Sequence, residues 1–389
     1  MRTGAYLAAS KEPHLISLDL ALPPDGCRVC IDAGLLEVVA SHILEVVPAA
    51  HYGIVADSNV ADTYAWPLAT ALREEDVRAD VVSFPAGEAH KSRETWAELT
   101  DALLARRLGR DGCIIALGGG VACDLGGFVA ATYMRGLPCV QVPTSLLAMI
   151  DASIGGKTAV DVPAGKNLVG AFLQPRLVAI DPLALRTLPE RELRAGLAEA
   201  LKHGAIADAE YLRWIRASTN ALLAREPTAL AHLIRRSVEI KAAVVQADPL
   251  ERGVRAILNF GHTVAHAIET LSAWAVPHGY AVAIGMVAEA EIGEAAEVTE
   301  PGTAAELRAI LQGLGLPTAL PAGLAPADIL SAAASDKKAR AARIRYALLS
   351  QTGATATDAA GSHTIAVDDS VALRALSRCQ PRERRDASV

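Results

Sequence analysis

Residues 116–127 read Ala-Leu-Gly-Gly-Gly-Val-Ala-Cys-Asp-Leu-Gly-Gly and continue an apolar run that begins at Cys113. This order predicts a buried strand, a tight glycine turn and a helix. Glycine lets the backbone approach a phosphate closely, and the first turn of the helix supplies amide donors and a favourable dipole. The run is not the Gly-x-Gly-x-x-Gly fingerprint, so a strand–helix turn without a ligand is an equally good interpretation.

Further apolar runs on both sides of this turn alternate with helical patterns such as 95–106. They lie at 53–56, 81–84, 140–142 and 177–181. Strands separated by helices of this length are typical of βαβ units and a parallel sheet. After Asp181 the sequence becomes rich in Ala, Leu, Glu and Arg, and its periodicity predicts helices over 190–204, 209–222, 227–248, 253–271, 279–296, 304–313 and 326–334.

The pattern therefore predicts two domains and a tail. We expect an α/β domain with a parallel sheet over 1–181 and an all-α domain over 182–377. The arginine-rich residues 378–389 are expected to form a disordered tail. The 389 residues, of which 51% are hydrophobic, suffice for two sizeable cores.

Composition disfavours several classes of protein. A net charge of −7 with 4% aromatic residues lacks the footprint of a nucleic-acid binder. Six cysteines in a chain of this length form no disulfide framework, and the lone Cys27/Cys30 pair predicts ordinary packing. No uncharged apolar run reaches about 18 residues, and the first twelve residues lack a signal-peptide core. We expect a soluble, cytoplasmic protein without a membrane or nucleic-acid partner.

Polar residues follow several of the predicted strands. Asp57 comes after one strand, and Glu88 and Lys91 come after the next, where they could hold a ribose and a phosphate or simply begin a helix with Ser92 as its N-cap. A denser cluster suits a phosphorylated or carboxylated substrate, because cationic groups form strong bonds to such oxygens. A solvated loop would also explain it, although the apolar flanks 146–150 and 168–172 favour partial burial. The cluster comprises Arg135, Thr144, Ser145, Asp151, Ser153, Gly155, Gly156, Lys157, Lys166 and Asn167.

The helical half carries a third cluster. Glu199 and Lys202 share one helix face, which an ordinary surface ion pair would explain. His262 and His266 are spaced i,i+4, and His278 follows at a loop–helix junction. Histidine and glutamate side chains suit zinc, but unrelated helix histidines remain an alternative. On pattern alone, the remaining cations are expected to be surface charges: Lys241, Arg255, Lys337 and Lys338.

Taken together, these clusters resemble the 3-dehydroquinate synthase family of sugar-phosphate cyclases. The resemblance runs in order over about residues 50–350. It rests on Gly118-Gly119-Gly120, Asp124, Tyr133-Met134-Arg135-Gly136, Val142-Pro143-Thr144-Ser145, Asp151, Gly155-Gly156-Lys157-Thr158, Gly165-Lys166-Asn167, Gly196-Leu197-Ala198-Glu199, Asn259-Phe260-Gly261-His262-Thr263, His278-Gly279 and Asp336-Lys337-Lys338.

The resemblance implies an NAD-binding α/β domain, a helical metal-binding domain, an active site in the cleft between them and a homodimer. The implied metal ligands are Glu199, His262 and His278, with zinc or cobalt as the metal. His266 is then a catalytic residue and not a ligand.

The resemblance also implies which residues contact NAD and the substrate. The implied NAD contacts are Asp57, Glu88, Lys91, Gly119, Gly120, Asp124, Thr144 and Ser145. The implied catalytic residues are Asp151, Lys157, Lys202, Arg255, Asn259 and His266, and the implied substrate contacts are Arg135, Lys166, Asn167, Lys241 and Lys337. Arg135 would reach the substrate phosphate in the partner subunit.

The implied reaction is the second step of the shikimate pathway. It converts 3-deoxy-D-arabino-heptulosonate 7-phosphate into 3-dehydroquinate and phosphate by transient oxidation with NAD, phosphate elimination, re-reduction and intramolecular aldol closure. NAD is not consumed, so the enzyme is a lyase. Alternatives are an amino-dehydroquinate synthase, a sedoheptulose 7-phosphate cyclase and a metal-dependent polyol dehydrogenase. The carboxylate contacts expected at Arg255, Asn259 and Lys337 favour the first reaction over the sedoheptulose cyclase. Tyr280 stands where related sequences carry a glutamate, which would alter the support of His278.

Overall fold

A seven-stranded, mostly parallel sheet forms the centre of the first half of the chain. The computed structural model describes residues 16–22, 25–337 and 343–381. The sheet order is β1-β2-β9-β6-β5-β3-β4, with β1 antiparallel to β2 and the other pairs parallel. The strands of this half are β1 (Ile16–Leu20), β2 (Cys27–Ile31), β3 (His51–Asp57), β4 (Arg78–Phe84), β5 (Gly112–Gly118), β6 (Cys139–Pro143), β7 (Lys157–Val162), β8 (Gly165–Phe172) and β9 (Leu177–Ile180).

Two helices cover each face of this sheet. Their bounds are α1 (Val39–Val46), α2 (Trp66–Glu74), α3 (Arg93–Ala105) and α4 (Gly120–Thr132). Every residue of β3 and β5 is buried, as expected of central parallel strands between two helical layers. The predicted parallel sheet and glycine turn are confirmed. All six cysteines are free and buried, so Cys27 and Cys30 pack as residues of β2.

The dense polar cluster of the first half is not a solvated loop, because β7 and β8 form an antiparallel hairpin. The expected partial burial of its apolar flank is wrong for Leu168 and Phe172, which are 63% and 52% exposed. Alternation along the strand explains this. Val169 and Ala171 pack against the core beside α4, while Leu168 and Phe172 point to the opposite face.

The second half is built mainly from helices. They are α5 (Glu190–Ala207), α6 (Ala209–Ala217), α7 (Thr219–Leu223), α8 (Pro227–Ala247), α9 (His262–Leu271), α10 (His278–Ala295), α11 (Thr303–Gly313), α12 (Pro326–Lys337) and α13 (Asp369–Arg378). Their core is continuous with buried residues of β1, β2 and β9. Among the described residues, no helix combines the length and apolarity needed to cross a membrane.

Several details of the second half differ from the expectation. It is not wholly helical, since four short strands form two small sheets: β10 (Arg345–Tyr346), β11 (Leu349–Gln351), β12 (Ala354–Thr355) and β13 (Ile365–Ala366). The helix predicted over 253–271 is broken at Gly261, whose φ of 82° is left-handed. The helix predicted over 209–222 is likewise divided at Ser218. The predicted tail does not begin at Arg378, because Arg378 ends α13 and Cys379 is buried; residues 382–389 of the predicted tail lie outside the described residues.

Gly285 sets the distance between α9 and α10, the helices that carry the three clustered histidines. A Cβ on Gly285 would lie 2.0 Å from the carbonyl oxygen of Gly261. We expect Gly285→Ala to push the helices apart and to lower the free energy of unfolding by about 1–3 kcal/mol, the usual cost of overpacking. Urea unfolding measures this. Gly313→Ala, at the end of α11 with nothing within 4 Å of its Cβ, is the control and should not be destabilised. Equal stability of both variants would contradict the prediction.

Candidate functional site

The glycine turn after β5 joins the ends of three neighbouring strands. The Thr144 amide donates a hydrogen bond to the Gly118 carbonyl, which fixes the end of β6 beside the turn. A Cβ on Gly118 would lie 2.6 Å from Asp57 Oδ2, so β3 also ends here. Gly119 is the N-cap of α4, and Ser145 Oγ is its nearest side-chain neighbour. Amides at a helix N-terminus beside a crevice at the carboxyl ends of parallel strands suit a dinucleotide phosphate.

An ion-paired group lies next to this turn. Lys91 is 4% exposed, and its ammonium lies 2.6 Å from Asp124 Oδ2 and 3.9 Å from Glu88 Oε1. The predicted N-cap is confirmed, because Ser92 Oγ accepts a hydrogen bond from the Thr95 amide. The structure thus brings together the two sets of residues expected to contact NAD: Asp57, Gly119, Gly120, Thr144 and Ser145 at the turn, and Glu88, Lys91 and Asp124 beside it.

Glu199, His262 and His278 converge in the helical half. One ligand atom from each lies within 4.8 Å of the others. Glu199 Oε1 is 3.6 Å from His262 Nε2 and 3.3 Å from His278 Nε2. The interpretation of Glu199 and Lys202 as a surface pair is wrong, since they are 0% and 2% exposed. One buried carboxylate and two imidazoles are a donor set that fits zinc or cobalt.

Lys202 orients the carboxylate of this group. Its ammonium lies 2.5 Å from Glu199 Oε2, which leaves Oε1 facing the two imidazoles. Burial alone would raise the pKa of Glu199, but Lys202 and the two histidines hold that pKa well below its ordinary value. Burial and the Lys202 charge keep the pKa of His262 well below its ordinary value, so His262 is neutral. A charged carboxylate and a neutral imidazole are the states that bind a metal.

Glu289 of α10 fixes the start of the neighbouring helix α9. Its buried carboxylate accepts hydrogen bonds from the amides of Gly261, at 2.8 Å, and Val264, at 3.1 Å. Gly261 provides the left-handed turn that this capping requires. A carboxylate at a helix N-terminus satisfies free amides and complements the dipole. His262, the first residue of α9, is therefore held relative to the helix that carries His278.

A second carboxylate supports His278. Its Nδ1 lies 3.4 Å from Glu269 Oε2, while its Nε2 faces Glu199. Burial alone would lower the pKa of His278, but hydrogen bonds to Glu199 and Glu269 raise it to about 10. Tyr280 therefore does not leave this histidine without an acidic partner, because α9 supplies one. His266 lies beside the group, with its ring centre 5.5 Å from that of His262.

The half-buried Asp151 and the buried Lys241 form a second ion-paired group beside the first. Lys241 Nζ lies 2.6 Å from Asp151 Oδ1, and it also donates to the Asp151 carbonyl. Burial alone would raise the pKa of Asp151, but Lys241 and Lys202 keep it far below its ordinary value. Between the two groups, burial and Lys202 lower the pKa of His203 to about 3, so its imidazole is neutral. The expectation that Lys241 and Arg255 are surface charges is wrong, since they are 6% and 2% exposed.

Arg255 connects the two halves of the chain through backbone contacts. Its Nη1 donates to the Pro249 carbonyl and its Nη2 to the Gly155 carbonyl. Nearby, Glu251 accepts a hydrogen bond from Asn259 Nδ2 at 3.0 Å and pairs with Lys157. Glu251, which was not identified from the sequence, therefore connects Asn259 and Lys157.

Four predicted substrate contacts remain, and they differ in where they lie. Arg135 follows the C-terminal end of α4, whereas the glycine turn lies at the N-terminal end of that helix. Lys166 pairs with Glu88 and Glu269. Arg135 and Asn167 are exposed and have positive φ angles of 71° and 56°. The side chain of Lys337 lies outside the described residues, as does Lys338. Four buried or half-buried residues of the site were not found from sequence: His203, Glu251, Glu269 and Glu289.

The rarity of lysine in this sequence is a signal that could have identified the site residues. The chain has 8 lysines among 37 lysines and arginines. All five lysines whose side chains the structure describes lie in the groups above: Lys91, Lys157, Lys166, Lys202 and Lys241. In an arginine-rich chain, lysine at these positions provides a compact, flexible ammonium rather than a planar guanidinium.

Comparisons with known proteins agree on one family. The models named 3-dehydroquinate synthase N-terminal and 3-dehydroquinate synthase C-terminal match residues 81–195 and 196–339. The 3-dehydroquinate synthase of Xanthomonas campestris pv. campestris (strain 8004) is 46% identical over 345 residues, 87% of this chain and 90% of that protein.

Two solved structures are similar over nearly the whole chain. A 2-deoxy-scyllo-inosose synthase complexed with carbaglucose-6-phosphate, NAD+ and Co2+ has a TM-score of 0.85 and 25% identity, covering 94% of this chain and 100% of that one. A 2-epi-5-epi-valiolone synthase from Streptomyces hygroscopicus subsp. jinggangensis 5008 with NAD+ and Zn2+ bound has a TM-score of 0.81 and 27% identity, covering 97% and 99%.

Proposed function

The chain belongs to the 3-dehydroquinate synthase family, and we propose that it converts 3-deoxy-D-arabino-heptulosonate 7-phosphate into 3-dehydroquinate and phosphate. One observation carries the proposal. The buried Glu199 and the half-buried His262 and His278 face one another, and Lys166 connects this group to the residues beside the glycine turn, because it pairs with both Glu269 and Glu88. A metal site, an anion site and a nucleotide site are what an NAD-assisted phosphate elimination requires.

We assign the two cofactors to separate sites. Glu199, His262 and His278 would hold a divalent metal, zinc or cobalt, and the turn at Gly119 with Glu88, Lys91 and Asp124 would hold NAD. When bound, the metal would polarise a substrate hydroxyl, and NAD would accept one hydride and return it within the same turnover. The enzyme is then a carbon–oxygen lyase, since NAD is regenerated.

The residues of the chain prepare the cleft for an anionic substrate. Lys202 holds one oxygen of Glu199, and the other oxygen faces His262 and His278. Lys241 keeps Asp151 ionised, so this carboxylate can accept a hydrogen bond from a substrate hydroxyl and orient it. Lys157 is half-exposed and paired with Glu251, so its ammonium can turn to a substrate oxygen. Cationic groups form charge-assisted bonds to the phosphate as it leaves, and its own oxygens can take up the neighbouring carbon-bound proton.

A homodimer is part of this proposal. Arg135 is exposed and is held in a strained backbone conformation beside Met134, whose φ is also positive. Such strain is found where a side chain must be presented, and we assign Arg135 to the substrate phosphate of the partner subunit. The cytoplasmic location expected from the sequence stays a prediction.

Related substrates remain alternatives within the same site. The amino analogue of the heptulosonate would keep the carboxylate contacts, whereas sedoheptulose 7-phosphate has no carboxylate. The family resemblance assigns Arg255, Asn259 and Lys337 to the substrate carboxylate, which favours a carboxylated substrate. Five lysines around one cleft exceed what a neutral polyol needs, so a polyol dehydrogenase is the weaker candidate.

The test follows phosphate, carbocycle and NADH together. The metal-loaded protein with the heptulosonate phosphate and a trace of NAD should release many phosphates per NAD, with no net NADH, and a chelator should stop the reaction. NADH accumulating with each substrate turned over would indicate an oxidoreductase. The absence of phosphate release from a folded, metal-bound protein would overturn the assignment, and the amino analogue and sedoheptulose 7-phosphate would be assayed next.

A further inference from the structure

Glu269 connects the metal side of the cleft to the nucleotide side. It lies on α9, seven residues after His262, and is 2% exposed. One carboxylate oxygen lies 3.4 Å from His278 Nδ1, and the other lies 3.4 Å from Lys166 Nζ. The carboxylate of Glu269 therefore contacts one residue from each half of the chain.

Lys166 comes from the β-hairpin of the α/β half. Its ammonium lies 3.3 Å from Glu88 Oε1 and 4.1 Å from the ring centre of Trp274. A cation between two carboxylates and over an aromatic face is held from three sides. The ion pairs therefore run from Glu88, beside the glycine turn, through Lys166 to Glu269 and the Nδ1 atom of His278.

We propose that Glu269 is a positioning residue for the metal ligand His278, and that Lys166 holds Glu269 in place. By accepting a hydrogen bond from Nδ1, Glu269 fixes the ring and directs Nε2 towards Glu199 and the metal position, where a bound metal would displace the Nε2 proton. Carboxylates that hold a ligand histidine in this way commonly change metal affinity 10–100-fold. The proposal rests on the metal site assigned under the proposed function, but it concerns metal affinity and not the reaction.

The experiment measures Co²⁺ binding at fixed pH by competition with a chelating dye, without substrate. Glu269→Gln keeps the shape of the side chain and removes its charge, and we expect about 10–100-fold weaker binding. Glu291→Gln is the matched control. Glu291 lies on α10 with His278, is 12% exposed and pairs with Arg308 away from the metal group. Its Co²⁺ affinity should equal that of the wild-type protein.

Lys166→Met tests the second half of the proposal. We expect weaker Co²⁺ binding than in the wild-type protein, with a smaller loss than for Glu269→Gln. The double variant should bind no more weakly than Glu269→Gln alone, because both changes act through one carboxylate. Unchanged affinity in folded Glu269→Gln, or additive losses in the double variant, would overturn the proposal.

Two further outcomes are also decisive. If Glu269→Gln does not fold, as judged by its thermal transition, Lys166→Met carries the test, and wild-type affinity in that variant overturns the proposal. If the wild-type protein and the variants show the expected order of Co²⁺ affinities, but the wild-type protein releases no phosphate from the heptulosonate, the proposed function fails while the role of Glu269 stands.

Discussion

His262→Ala is expected to abolish stoichiometric metal binding and to lower phosphate release by about 1,000-fold or more. The variant removes one of three side chains that converge within 4.8 Å. Two remaining ligands do not complete a zinc or cobalt site, and the loss of Lewis-acid stabilisation costs several kcal/mol, which corresponds to about three orders of magnitude in rate. Metal content after dialysis and single-turnover phosphate release measure the two effects.

His42→Ala is the matched control for this variant. His42 lies on α1, in the α/β half, and its replacement should change neither metal content nor turnover. Wild-type metal content in His262→Ala would remove His262 from the metal site. Normal metal content with lost activity would instead indicate that His262 contacts substrate.

Lys241→Met is expected to destabilise the protein and to inactivate it. The change leaves Asp151 without the ammonium 2.6 Å away. Removing one partner of a buried ion pair costs about 3–5 kcal/mol. Asp151 keeps 29% exposure of its side chain, so we expect a smaller loss than for a fully buried pair, about 2–3 kcal/mol in the free energy of unfolding. Denaturant unfolding at neutral pH measures the loss.

The double variant Lys241→Met/Asp151→Asn separates stability from function. It removes the uncompensated charge, so most of the lost stability should return while turnover stays low. If Lys241→Met alone is as stable as the wild-type protein, the pair does not compensate a buried charge. If the double variant regains turnover, neither residue takes part in the reaction.

The fold was largely predictable because its signals are local. The apolar runs of β3 and β5 and the glycine turn after β5 each lie within a few residues, and the parallel sheet follows from their alternation with helices. The β7–β8 hairpin was not found, because its polar and glycine-rich sequence also fits a loop. The break at Gly261 was missed for a different reason: the helical periodicity runs through it, and the glycine is required by Glu289 and Met286 from another helix.

The burial of the charged residues could not be derived from local sequence. Lys241 meets Asp151 across 90 residues, and Arg255 meets Gly155 across 100 residues. The local sequence around a buried, paired cation does not differ from that around a solvated one, so the sequence pattern placed Lys241 and Arg255 on the surface.

The spacing of the histidines was also misleading. The i,i+4 positions of His262 and His266 suggested a metal pair, whereas the side chains that converge are those of Glu199, His262 and His278. Only the family resemblance had selected this set.

The capping of α9 by Glu289 bears on how the protein acquires its metal. Both histidine-bearing helices are fixed to each other by the hydrogen bonds that two amides at the start of α9 donate to the Glu289 carboxylate and by close glycine contacts, with no metal needed to complete them. The apoprotein should therefore fold fully and be refillable after chelation, unlike small zinc domains that unfold without metal. A rigid, ready-made receptor accepts whichever suitable divalent ion is abundant, so cellular supply, rather than folding, would decide which ion the protein carries.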